Sequence, residues 1–329
     1  ERDRNTDNYY VSDDIRKLIS ENITQDRFNL MITTYRIMKD ADDFSEEWDP
    51  YEVDTLEDFK NSVGNQYLNI GISEQAMASI AAGMALEGKK VFIFSITPFV
   101  TQRCLEQIKL DICLGNLPVT IVGNGSSLTY ATHGPSHQAI EDIAMMRSLP
   151  NIKILHPYDN ISSAHSVNLA YKSKSPVYIK LDKGFYENIS LKPGDKLFRL
   201  NKKKQSKILI ITTGVIVHRI NKIIKKFDKL NHNIDLFNMF SIKQTHKDLP
   251  KYLKKYKKII TIEEQNLPGG IGSIIAEIIA ENNINVNFTR LGITDKYILK
   301  CGNRDWLQAK YGLDEKSLYS SIKKVIYSK

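Results

Sequence analysis

The feature of this 329-residue chain best suited to chemistry is a carboxylate at the junction of an apolar strand and an alanine-rich helix. In Asn69-Ile70-Gly71-Ile72-Ser73-Glu74-Gln75-Ala76-Met77 the residue types predict a strand ending near Ile70 and a helix starting at Ser73, with Glu74 in its first turn. Open parallel sheets place ligands at such strand ends. The same placement also has a purely structural explanation. Ser73 is a good helix cap, and Glu74 complements the helix dipole for a few tenths of a kcal/mol up to about 1. Further on, His133 and His137 stand four apart, the spacing of a helical metal pair, but Gly134 and Pro135 between them break the helix that would align them. Gly269-Gly270-Ile271-Gly272 has neither P-loop nor dinucleotide-fingerprint spacing and is read as structural, with an interface role.

The elements that would position these residues alternate along the chain. Strands are expected at Gln66–Ile70, Lys90–Ser95, Pro118–Gly123, Lys153–Leu155 and Val177–Leu181, with helices at Ser73–Leu86 and Thr101–Leu114. Before them the pattern is mixed, with a helix near Ile15–Ile23 and an apolar stretch at Phe28–Ile37. Strands alternating with helices of this length predict an α/β fold with a mostly parallel, doubly wound sheet. Polar residues 186–206, with Pro193, Gly194 and Lys202 to Lys204, read as a linker between a domain over 1–185 and a smaller α/β domain over 207–329. The second domain has strands at Ile208–Thr212, Ile234–Leu236, Lys258–Ile262 and Val286–Thr289, and a glycine-led helix near Gly270.

Composition narrows the class. With 42% hydrophobic and 26% charged residues the chain reads as globular, and its longest apolar run, Val91 to Val100, is too short to span a bilayer. Cys104, Cys113 and Cys301 are too few and scattered for a disulfide framework or zinc knuckle, and the expected compartment is the cytoplasm. The net charge of +8 arises from Lys207 onward, where 22 basic residues face 11 acidic ones. The cluster Lys251, Lys254, Lys255, Lys257 and Lys258 lacks interleaved aromatics and reads as a solvated face, so neither nucleic acid nor membrane is an expected partner.

Gly71-Ile72-Ser73-Glu74-Gln75 and the Ala/Gly-rich helix after it resemble the pyrimidine-binding domain of transketolases. So do Ser95 to Arg103, Leu105-Glu106-Gln107-Ile108, Asn116 to Val119, His133 to Asp142 and Arg147 to Ile152. Glu263-Glu264-Gln265-Asn266, Arg290 to Ile293 and Tyr311 to Asp314 resemble the same family's C-terminal domain. The resemblance implies thiamine diphosphate as cofactor and transfer of a two-carbon ketol unit between sugars. By position, Glu74 matches the glutamate that hydrogen-bonds the pyrimidine N1′ nitrogen. A carboxyl group does this only if it keeps a proton near neutrality, which a dry, partly apolar site favours. Ile70, Ile72, Met77 and Ile80 are the candidates for that dry wall. Phe99 matches the aromatic ring that stacks on the aminopyrimidine, and Arg103 is expected at the cofactor edge or facing a partner chain. His137 matches a histidine that contacts the sugar, and Asp42 an aspartate near the thiazolium ring.

Departures from the family matter as much. His133 stands where transketolases carry an aspartate, Gly125 where they carry a further histidine, and Lys183 where they carry a phosphate-binding arginine, keeping the charge without the bidentate fork. Together with His137, His133 and Lys183 are the substrate-binding candidates. The Gly-Asp-Gly motif that carries the family's Mg²⁺ is absent, the one Gly-Asp, Gly194-Asp195, being followed by Lys196. A split enzyme is therefore expected, in which a separate N-terminal-half subunit supplies the diphosphate and metal site and two heterodimers pair into a heterotetramer. Two other readings stay open at this point: the β subunit of a 2-oxoacid dehydrogenase, and a non-catalytic regulatory subunit.

Overall fold

The computed structural model describes residues 30–33, 61, 64–184, 186–189, 198–199, 206–230, 232–245 and 247–327. Asp42 and the helix expected near Ile15 lie outside the described residues. The first sheet has six strands: β1 (Leu30–Thr33), β2 (Tyr67–Asn69), β3 (Val91–Ile96), β4 (Val119–Asn124), β5 (Lys153–Leu155) and β6 (Val177–Leu181). Their order is β2-β1-β3-β4-β6-β5 and every pairing is parallel. Central strands β4 and β6 are buried along nearly all their length, which is why they read as continuous apolar runs rather than alternating ones. β1 falls in the apolar stretch whose element type the sequence left open.

Helix α1 (Glu74–Leu86) buries Met77, Ala78, Ala81, Ala82 and Ala85. That face of small side chains lets the backbone lie close to the sheet, and the helix stops before Gly88, whose φ of +83° only glycine adopts freely. Past β3 the single helix expected over Thr101–Leu114 is instead broken. Pro98 starts a short helix early, α2 (Thr97–Val100), then α3 (Leu105–Gln107) continues as a π-helical stretch, Ile108–Cys113. Helices α4 (Asp142–Ser148) and α5 (Asn160–Lys172) complete this domain, α5 with a capping box between Asp159 and Ser162.

The second sheet comprises β7 (Phe198–Arg199), β8 (Ile208–Thr212), β9 (Ile234–Asn238), β10 (Lys258–Asn266) and β11 (Asn287–Ile293) in the order β11-β10-β8-β9-β7. Only β7, drawn from the segment read as linker, is antiparallel. Helix α6 (Ile216–Asp228) turns Ile216, Val217, Ile220, Ile223, Ile224 and Phe227 inward at helical spacing. Each buried side chain of this size contributes about 1.5–3 kcal/mol of docking at most. The remaining helices are α7 (Leu249–Leu253), α8 (Ile271–Glu281), α9 (Arg304–Lys310) and α10 (Glu315–Tyr327). Backbone bonds cross between the domains: His156 N–H donates to the Phe240 carbonyl, Ile242 N–H to Ile154 and Asn266 N–H to Ile140.

Candidate functional site

Glu74 lies in the first turn of α1, past the end of β2, and is 3% exposed. Ser73 is the N-cap residue but its side chain makes no capping bond, so the capping explanation for the Ser-Glu pair does not hold. The carboxylate is met instead by Arg103, whose Nη1 donates to Glu74 Oε2 at 2.7 Å. The same guanidinium lies 4.2 Å from the centre of the Phe99 ring. Phe99 is half-buried, so it is no core plug, and its ring meets that of His137 edge-on at 5.0 Å between centroids. Glu74, Phe99, Arg103 and His137 thus converge, although they are spread along the chain from position 74 to position 137.

A flat, cationic group that hydrogen-bonds Glu74 while covering the face of Phe99 meets the same two demands that an aminopyrimidine would. The pair of partners therefore fits the pyrimidine end of thiamine diphosphate. Apolar walls are only partly in place within this chain. Met77 is buried, but Ile72 is 61% exposed and Ile80 is also exposed, so Ile72 does not form the dry wall expected of it here. Cys104 sits behind the ring, its thiol donating to the Phe99 carbonyl at 3.1 Å. Burial, followed by the Glu74 charge, pushes that thiol up to about 12, which makes Cys104 a packing residue rather than a nucleophile.

The loop from Thr132 to Glu141 supplies the opposite side. His133 and His137 have ring centroids 5.2 Å apart, and Tyr130 lies edge-on to both, at 5.7 and 6.2 Å. His133 is exposed and His137 half-buried, with Nδ1 atoms that pair with Thr132 and Ser136 hydroxyls. Lys183, just past β6, places its ammonium 5.1 Å from the Tyr130 ring centre. Among the described residues no three His, Cys, Asp or Glu side chains converge as metal ligands.

Sequence reasoning missed Tyr130. Its ring fills the space above Gly125, where any Cβ would overlap it, and Gly125 has a φ of +79°. The departure noted at Gly125 and the presence of Tyr130 are one feature. Also missed was the grip beneath the loop. Lys180, fully buried, pairs with Asp142 Oδ1 at 2.6 Å and donates to the Ala139 carbonyl at 2.8 Å. Tyr178 donates to Asp142 Oδ2 at 2.6 Å, and Gln265 of the second domain donates to the same Ala139 carbonyl at 3.0 Å. A lysine inside the apolar strand Val177–Leu181 was the available signal, because a buried ammonium demands a buried acceptor. The glycines at 269–272 are close-approach positions, as read. The N–H groups of Ile271 and Gly272 that an anion would use are taken by Glu263.

Comparison with known families and structures adds to this. Residues 34–188 match the transketolase pyrimidine-binding domain and residues 199–318 the transketolase C-terminal domain. One of the two chains of the apulose-4-phosphate transketolase of Actinobacillus succinogenes is 31% identical over 262 residues, which take in 77% of this chain and 83% of that protein. The 1-deoxy-D-xylulose-5-phosphate synthase of Clostridium tetani is 31% identical over 276 residues, 82% of this chain but 44% of that protein. A solved structure described as a split gene transketolase, inactive beta4 tetramer, shares the fold with a TM-score of 0.77 at 24% identity, covering 96% of each chain.

Proposed function

This chain belongs to the transketolase family, and from that premise we propose that it is the pyrimidine-binding and C-terminal half of a split, thiamine-diphosphate-dependent enzyme that transfers a two-carbon ketol unit between sugar substrates. The observation that carries the reading is the buried Glu74 carboxyl beside a half-exposed Phe99 face, with His137 at the edge of that ring. Its relatives include a protein named as one subunit of a transketolase and a split gene transketolase, which favours a separate partner chain carrying the diphosphate and Mg²⁺ ligands.

When bound, thiamine diphosphate supplies the carbanion chemistry of ketol transfer. In this chain Glu74 holds a proton against the pyrimidine nitrogen, Phe99 gives the ring a flat apolar support, and Arg103 gives up both contacts on loading. His137 and His133 donate hydrogen bonds to substrate oxygens, and an imidazole N–H does so in either protonation state. Lys183 offers a point charge to an anionic end of the sugar.

The test is reconstitution. The chain alone with thiamine diphosphate and Mg²⁺ is expected to show no turnover, and addition of an N-terminal-half transketolase subunit is expected to start ketol transfer in a screen of ketose donors and aldose acceptors. Full turnover without any partner would overturn the split arrangement. Turnover of 2-oxoacid donors with none of any ketose would overturn the ketol assignment.

A further inference from the structure

One side chain of the second domain reaches into the site described above. Arg304 is the first residue of α9, and its guanidinium is shared between two buried carboxylates. Nη1 and Nη2 donate to Asp182 Oδ1 and Oδ2 at 2.7 and 2.8 Å, while Nε and Nη2 donate to Glu264 Oε1 and Oε2 at 2.9 and 3.0 Å. Both pairings are bidentate, a geometry that arginine alone among the cations provides.

The Asp182 end of this clamp is tied directly to the walls of the site. Asp182 Oδ1 accepts not only from Arg304 but from the backbone N–H of Lys183 at 2.8 Å and the hydroxyl of Thr129 at 2.9 Å. Thr129 precedes Tyr130, so the lysine and the ring beneath its ammonium hang from the same carboxylate oxygen. Ser126 Oγ donates to Asp182 Oδ2 at 2.8 Å, and Leu128 N–H reaches Glu264 Oε1 at 3.3 Å, closing the 126–130 loop onto the clamp from both domains. Burial alone would raise the Asp182 carboxyl, but Arg304 outweighs it and holds the group below the ordinary carboxylate range. Just before α9, Gly302 N–H meets the Ala131 carbonyl, so the loop that delivers Arg304 also touches the histidine loop.

We propose that Arg304 is a positioning residue: by fixing Asp182 it sets Lys183 and Tyr130 as two walls of an anion-accepting end of the substrate site, which makes the second domain part of that site. This rests on the reading of the His133, His137 and Lys183 face as the substrate end. Without the guanidinium, Asp182 and Glu264 are left buried and uncompensated, and Asp182 has reason to turn toward the ammonium of its own neighbour.

The probe is inorganic phosphate, titrated by ³¹P NMR into the full-length chain and into Arg304→Met, Arg304→Lys and Lys183→Met. Wild type is expected to bind phosphate in a Lys183-dependent way, and Arg304→Met to weaken it about tenfold or more, the scale of a displaced binding group. Arg304→Lys keeps the charge without the double fork and is expected to fall between them, so it carries the test if the methionine variant does not fold. In the assembled enzyme the same variants should raise KM for a phosphorylated sugar and leave kcat and the KM of its phosphate-free counterpart within about twofold. Phosphate binding equal to wild type in Arg304→Met or in Arg304→Lys overturns the proposal, as does binding that survives Lys183→Met. Absence of ketol transfer by wild type would instead sink the functional reading, because the phosphate titration does not depend on turnover.

Discussion

Each domain sets a buried glutamate against the N-terminus of a helix beside the end of a parallel strand, and the two are held in opposite ways. Glu74 in the six-stranded domain is met by one long, 41% exposed side chain, Arg103, with a half-exposed aromatic ring beside it. Glu263 in the five-stranded domain takes the N–H groups of Ile271 and Gly272 at 2.7 and 2.9 Å, with Gly270 pressed so close that a Cβ would overlap its Oε2. The first carboxyl has a partner that can leave, while the second is locked by backbone. A strand-end carboxylate becomes a site when its partner is exchangeable and its neighbourhood leaves room for a ring, and becomes a structural cap when backbone closes around it.

The comparison breaks first at Glu74. Glu74→Gln is expected to lower ketol transfer by the reconstituted enzyme about 10³-fold, the range of a lost proton-handling group, with the thermal midpoint of the chain nearly unchanged. Retained turnover would place Glu74 with Glu263 among the structural carboxylates.

At Glu263 the expected effect is on stability and its pH dependence. Burial pushes this carboxyl up to about 7 from an ordinary 4.5, against the pull of the two backbone N–H groups and Arg290. A raised folded value means that the protonated form is favoured by folding. Its contribution is complete below about pH 4.5 and lost as pH rises through about 7, a change on the order of 3 kcal/mol. Urea denaturation across this window should show that slope in wild type and lose it in Glu263→Gln, and an unchanged slope would remove Glu263 as its source.

Gly270→Ala sharpens the same lock from the steric side. Overpacking against the Glu263 carboxyl should cost about 1–3 kcal/mol in denaturant unfolding, with no change in cofactor binding. The smallest effect is expected at Arg103. An exposed pair contributes about 1 kcal/mol or less, so Arg103→Ala should barely shift stability. By vacating Glu74 and Phe99 it should tighten thiamine diphosphate binding by a few-fold, read by quenching of intrinsic fluorescence in the assembled complex. Weaker binding in Arg103→Ala would make Arg103 a cofactor ligand rather than a placeholder.

What the amino-acid sequence determined by itself was local. Apolar runs and helical spacing marked most strands and helices of both domains, and the Gly-Ile-Ser-Glu-Gln, Phe99 and His133 to Asp142 segments marked the residues that the fold brings together around Glu74, because strand ends and helix starts are set within a few residues of chain. Tertiary structure alone decided the rest. It set Arg103 across Glu74 and Phe99, left Ile72 outward, dropped Tyr130 over Gly125, and hung Lys183 from a clamp whose arginine lies 122 residues away from Asp182. Such contacts follow from which elements pack side by side and which buried charges then need partners, and no local pattern of residues encodes either.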